Sequence, residues 1–215
     1  MLRGVVSKTR SVQGIVQSAI DIKKWLEEVP GVHEVRPARC TLCRAPSRRP
    51  GHTLGIHGHG LVRRDVWGPV EEGETPEFWD LLIRRYRCLT CLTIIRVGPR
   101  GILPRRRYGG GAIAAALALW AVFGQEPAVV RDTVSPWRHV AIETQTRWAS
   151  LGRWAFAVGE GHLWPLRRRL PDGLPAHVLA ATAVRALVAR LPQSTMGPLR
   201  LAEVYGAAHG ERGRV

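Results

Sequence analysis

Apolar positions at helical spacing open the chain. Val12, Ile15, Ala19, Ile22 and Leu26 recur three or four residues apart, with Val16 and Trp25 at the edges. The spacing predicts an amphipathic helix over residues 11–29, stopped by Pro30-Gly31 and packed on the body of the protein. From residue 36 the texture changes to Gly, Pro, Arg and Thr, with short β-like runs at Leu61–Val66, Leu81–Tyr86 and Thr93–Val97. An acidic loop with turn formers at both ends, residues 68–77, separates the first two runs, and Pro99–Pro104 reads as an exit linker.

Beyond Gly109 the pattern turns helical. Ala112–Phe123 and Glu126–Val134 read as two helices. Ser135-Pro136 has the order of a helix start, Ser at the N-cap and Pro at N1, for a helix running to about Val158. On that helix Ala141, Thr144, Trp148, Leu151, Ala155 and Val158 share one face. A last amphipathic helix is expected from about Pro175 to Leu191, with a frayed tail from about Gly206. The longest uncharged run, Tyr108 to Gln125, is rich in Gly and Ala, and only Ala112–Phe123 is continuously apolar, so a buried helix is expected in place of a membrane span.

Charge changes this picture. The 215 residues carry 32 Lys+Arg against 17 Asp+Glu, a net +15, and all but three of the basic residues are arginine. By segment the net charge is +1 over residues 1–35, +9 over 36–108, zero over 109–165 and +5 over 166–215. The excess points to a polyanionic partner. The basic segment also holds all 4 cysteines, too few for a disulfide scaffold, and an intracellular, cytoplasmic and nucleoid-associated protein is expected.

The cysteines form two pairs, Cys40-Thr-Leu-Cys43 and Cys88-Leu-Thr-Cys91. Two-residue spacing lets a tight turn aim both thiolates at one cation, and two such knuckles complete a tetrahedral shell for structural Zn2+. The 44 residues between the pairs exceed the usual finger spacing, and the acidic loop accounts for much of the excess. A redox dithiol would need one such pair beside a βαβ pattern. His52, His57 and His59 lie between the knuckles and could replace a cysteine ligand; surface or phosphate-contacting roles are the simpler reading. A closed four-thiolate shell leaves no open position for catalysis.

These residues resemble a known family. Cys40-x-x-Cys43, His57-Gly-His-Gly-Leu-Val-Arg-Arg64, Arg84-Arg-Tyr-Arg-Cys-Leu-Thr-Cys91 and Leu103-Pro-Arg-Arg-Arg-Tyr108 are similar to the zinc-ribbon and helix-turn-helix N-terminal region of insertion-sequence transposases and their short relatives. The resemblance covers about residues 36–108, and residues 109–158 loosely. It implies DNA binding at element ends or a related regulatory site. Full-length members continue into a catalytic domain with three carboxylates. Here only Glu126, Asp132, Glu143, Glu160, Asp172, Glu203 and Glu211 follow residue 108, with no run of buried strands to gather them, so a binding protein and not a recombinase is expected.

The expected fold class is therefore α+β: a small β-rich zinc ribbon followed by a mostly α-helical helix-turn-helix region. The expected divisions are an N-terminal helix (1–35), the ribbon (36–108), the helix-turn-helix region (109–163) and a basic turn, C-terminal helix and tail (164–215). The partner expected is double-stranded DNA, with a recombinase or other element-encoded protein and a homodimer also in view, and no membrane. Arg44, Arg48, Arg49, Arg63, Arg64, Arg85 and Arg87 suit phosphate neutralisation, together with the Arg105, Arg106 and Arg107 arm. A regular strand puts Arg85 and Arg87 on one face and Arg84 and Tyr86 on the other. The bland reading is that several of these arginines solvate an exposed sheet. Base readout falls to Gln145, Thr146, Arg147 and Arg153 on the helix after Ser135, side chains of the types that reach base edges. The runner-up readings are a ribbon that binds RNA or a protein partner, and a truncated transposase.

Overall fold

The computed structural model describes residues 14–48, 51, 53–137, 148–164, 173–189 and 199–210. Its first half is built from β1 (Ile15–Gln17), α1 (Ile22–Glu27), β2 (Ile56–Trp67), β3 (Phe78–Cys88) and β4 (Ile94–Gly98). The four strands form one mixed sheet in the order β1-β4-β3-β2, parallel only between β1 and β4. All three β-like runs of the sequence are strands; β2 and β3 run longer than expected because residues 68–77 fold them into a hairpin, and β4 lies one residue later than expected.

The helix expected over residues 11–29 is a correction. Ile15–Gln17 is a strand, and only Ile22–Glu27 is helical; Val12 lies outside the described residues. The free edge of β4 offers backbone partners to a β-branched segment, and Ser18 continues the pairing with its N–H on Gly98 O at 2.8 Å. Asp21 then starts α1 as its N-cap, its carboxylate accepting from Lys24 N at 2.9 Å. Trp25 is buried against the sheet and donates its Nε1–H to Leu82 O at 3.0 Å.

The regular alternation expected on β3 also fails at one point. Leu81 and Ile83 are buried, then Tyr86 and Cys88, so burial slips by one residue at Arg84–Arg85. The slip lies opposite a bulge in β2, where three steps from Gly58 to Leu61 face two from Tyr86 to Arg84. Both arginines are half-buried there. Arg84 Nε donates to Pro30 O at 2.6 Å and Arg85 Nε to His59 O at 3.2 Å.

The second half is helical: α2 (Gly110–Ala121), α3 (Pro127–Val134), α4 (Ala149–Gly159), α5 (Ala176–Val188) and α6 (Leu201–Gly210). Sheet and helices together make the chain α+β. Helix α2 is buried all round as far as Leu119 and packs against the other four helices. None of the helices among the described residues is long and apolar enough to cross a membrane.

Two helix expectations need correcting. Trp148 is extended (φ −96°, ψ 91°), so α4 begins at Ala149 and no single helix runs from Ser135 to Val158. The first part of the tail expected to fray, residues 206–210, is inside α6, where Val204, Tyr205, Ala207 and Ala208 are buried; residues 211–215 lie outside the described residues. Small residues bring α6 close to α2: a Cβ on Gly111 would lie 2.7 Å from the Tyr205 ring. Glu203 closes the first turn of α6 by accepting from Arg200 N at 3.1 Å.

Two apolar cores result, one under the sheet and one among the helices. The segment read as a linker is buried and stitches them, with Ile102 in the sheet core and Leu103 in the helical one. Its carbonyls are claimed by Gln17 Nε2 on Ile102 (2.6 Å), Arg64 Nη2 on Leu103 (2.7 Å) and Gly110 N on Gly101 (2.6 Å).

Candidate metal centre and nucleic-acid interface

The two cysteine knuckles are built alike. In the first, Cys40 N donates to Ala45 O (2.9 Å) and Arg44 N to Cys40 O (3.1 Å); in the second, Cys88 N donates to Thr93 O (3.0 Å) and Leu92 N to Cys88 O (2.9 Å). The residue after each second cysteine is left-handed, Arg44 and Leu92 both at φ 61°. A non-glycine residue there costs about 1 kcal/mol or more, which a structure accepts where the turn must aim its side chains.

The hairpin brings the knuckles together. Cys88 ends β3, directly opposite Ile56 at the start of β2, and the 40–47 turn folds over it. All four Sγ atoms lie within 4.8 Å of one another, with Cys40–Cys91 at 3.6 Å and Cys43–Cys88 at 3.7 Å. A tetrahedron with metal–sulfur bonds of 2.3 Å has an S–S edge of about 3.8 Å. A disulfide would need about 2.05 Å, and all four cysteines are free. Cys40 and Cys88 are 0 % exposed, Cys91 is half-buried and Cys43 is exposed, so two of the four donors are screened from water. The four cysteines therefore form a site that fits a structural metal ion.

The electrostatics of the site favour a cation. Burial pushes the Cys88 thiol up, but N–H groups of Cys91 and Thr90 aimed at its sulfur outweigh that and hold it down at about 7. Burial and the crowding of the other three sulfurs push Cys91 up to about 12. A divalent cation among the four would relieve that crowding. Leu42 N also donates to Cys40 Sγ at 3.4 Å.

The basic residues sort by position. Arg44, Arg48 and Arg87 are exposed near the knuckles, as is Arg39, and His57 and His59 are exposed on β2 beside them. Arg63 is exposed but ion-paired to Asp80 at 3.2 Å. Arg64 is turned inward, with Nη2 on Leu103 O and Arg106 O (2.7 and 2.6 Å), and burial and Arg96 lower its pKa. Arg85 is half-buried on His59 O. In the arm, Arg105 and Arg107 are exposed and Arg106 is half-buried. Arg153 is exposed on α4, where it donates to Ser150 Oγ at 3.2 Å. Arg49, His52, Gln145, Thr146 and Arg147 lie outside the described residues.

The acidic residues of the segment gather toward one end of the hairpin, the end that Arg107 also reaches, its carbonyl accepting from Trp67 N. These residues, Asp65 to Asp80, lie toward the loop end, roughly 26 Å or more along the strands from the knuckles at about 3.3 Å per residue. Glu71 and Glu74 there share the single ammonium of Lys23, at 2.7 and 2.6 Å, which leaves the group net negative. Among the described residues, no ion pair joins a carboxylate to Arg39, Arg44, Arg48, Arg87, Arg105 or Arg107.

Sequence reasoning missed a row of aromatic rings. Trp67, Phe78, Tyr108 and Trp137 meet edge to face at the hairpin mouth, and Tyr108 continues the row to Trp148 and Trp154. Trp79 holds the start of the acidic loop, its Nε1–H on Gly68 O at 3.0 Å. Compared with protein-family models, curated proteins and solved structures, the chain matches none.

Proposed function

We propose that Cys40, Cys43, Cys88 and Cys91 hold a structural Zn2+, and that the ribbon so fixed anchors the protein on double-stranded DNA. Zinc suits this donor set because four soft thiolates at tetrahedral spacing are its commonest structural shell. When bound, the ion supplies folding energy and no chemistry. The observation that carries the DNA reading is the set of exposed arginines at the knuckle end with no carboxylate partner among the described residues. Guanidinium groups left unneutralised within a few residues of each knuckle suit phosphate oxygens.

Arg44, Arg48 and Arg87 are the principal phosphate contacts in this reading, with Arg105 and Arg107 a second group at the far end of the hairpin. Arg63 and Arg64 contribute less, since each already has a protein partner. The helical half carries base readout, with Arg153 on the exposed side of α4, in the manner of a helix-turn-helix region. The function that follows is sequence-specific DNA binding of a transposase-like or regulatory kind.

Selection of binding sites from random duplex DNA by zinc-loaded protein tests this. Enrichment of a defined motif is the expected result, and a palindromic motif would report a homodimer. Failure to enrich any duplex, or preference for RNA, would overturn the reading.

A further inference from the structure

Two large aromatic side chains stand half out of the molecule at the hairpin mouth. Phe78 and Trp137 are each 50 % exposed, with ring centroids 4.9 Å apart and planes at 77°. They are not loose. Both rest edge-on against Trp67, at 5.8 and 5.7 Å; Trp67 rests on Tyr108 at 5.4 Å, and Tyr108 on the buried Trp154 at 5.1 Å. Their backbones are fixed as well. Phe78 is paired with Trp67 in the sheet, and Trp137 N donates to Ser135 Oγ, which is itself hydrogen-bonded to Tyr108 OH at 2.8 Å. Rings held this way offer a rigid apolar surface at little entropic cost on binding.

One edge of this surface is cationic, while Glu77 precedes Phe78 and Asp80, two residues on, pairs with Arg63. Arg107 lies over Trp67, its guanidinium carbon 4.9 Å from the ring centroid, and Arg105 is exposed two residues before it. A purely apolar protein partner gains nothing from that cationic edge. A ligand with flat π faces joined by anionic linkers matches both parts.

We propose that Phe78 and Trp137 form a stacking ledge for unpaired DNA bases, with Arg105 and Arg107 taking the phosphates of the same strand. The inference rests on the DNA reading above and adds to it a preference for duplex with an unpaired extension. Glu77, exposed directly before Phe78, repels phosphates on its side, so the strand enters from the arginine arm.

The test compares equilibrium binding of the zinc-loaded full chain to a blunt duplex and to the same duplex carrying a single-stranded oligothymidine tail. The tailed duplex binds tighter by on the order of tenfold, the worth of one or two stacked bases. Phe78→Leu and Trp137→Leu keep apolar volume and remove the π face; each loses most of the gain while blunt-duplex affinity stays the same. Trp137→Phe retains it. The proposal is overturned if the tail adds nothing, if the leucine variants keep the full gain, or if an oligouridine RNA tail binds tighter than the DNA tail. Blunt-duplex binding without a tail effect removes the ledge alone. Absence of binding to any DNA removes the DNA reading with it.

Discussion

Removing the metal should separate the two halves of the molecule. Cys40 and Cys88 belong to the sheet core, of 15 buried residues among those described, whereas the helical core, of 26 among those described, contains no cysteine. Structural zinc contributes roughly 10–16 kcal/mol in small folds, as much as the whole stability of an ordinary domain. Taking it away leaves the sheet core to hold four strands and two knuckles, each knuckle with a left-handed residue. The expected outcome of chelation at neutral pH is loss of the ribbon with survival of most of the helices. Hydrogen exchange read by mass spectrometry resolves this. Peptides from β3 and β4 exchange as in an unfolded chain, while those from α2 and α5 keep their protection. Cys88→Ser, which swaps one ligand atom and leaves the core volume nearly unchanged, gives the same pattern without chelator. Unchanged protection of β3 in metal-free protein would refute the argument. Simultaneous loss of α2 would refute the independence of the two cores.

Two further outcomes follow from single residues. Gly68 sits at φ +95°, and a Cβ there would lie 2.7 Å from Ala112 Cβ and 2.9 Å from Val134 O. Gly68→Ala therefore combines backbone strain with a clash against fixed atoms and costs roughly 2–5 kcal/mol in chemical denaturation; a loss below 1 kcal/mol would contradict it. His209 is held below its ordinary 6.5 first by burial and then by Arg100. The unfolded chain thus binds this proton more readily, so stability is fullest above pH 6.5 and declines as the pH falls through 6.5 toward the lowered value. The urea midpoint of the wild type drops between pH 7.5 and 5.5, and His209→Asn shows a smaller drop; equal drops would rule out this source.

What was legible in the sequence depended on how local the cause is. Each cysteine pair needs only a four-residue turn, and the turn formers at both ends of residues 68–77 mark the loop between the two strands that bring the pairs together. The strand at Ile15–Gln17 was hidden because its conformation comes from the distant edge of β4, and the same apolar spacing reads equally well as a helix. Helix α6 was hidden because Ala, Gly and Val bury through close approach to Gly111, which leaves a weak hydrophobic signal. The basic cluster was visible as composition, but composition does not tell Arg44, left exposed, from Arg64, spent on two carbonyls. The aromatic row joins residues 67 and 78 on two strands with 108 and 137 in two connecting segments, and no periodicity links them.

The most direct test of a DNA-anchoring ribbon is the salt dependence of duplex binding by zinc-loaded protein. Each phosphate contact contributes a slope of about −0.9 to log Kobs against log salt. With Arg44, Arg48, Arg87, Arg105 and Arg107 engaged, the slope is expected near −4 to −5. Arg44→Ala and Arg87→Ala should each flatten it by about 1 and weaken all sequences alike. A slope near zero, or one that neither substitution changes, would contradict the account.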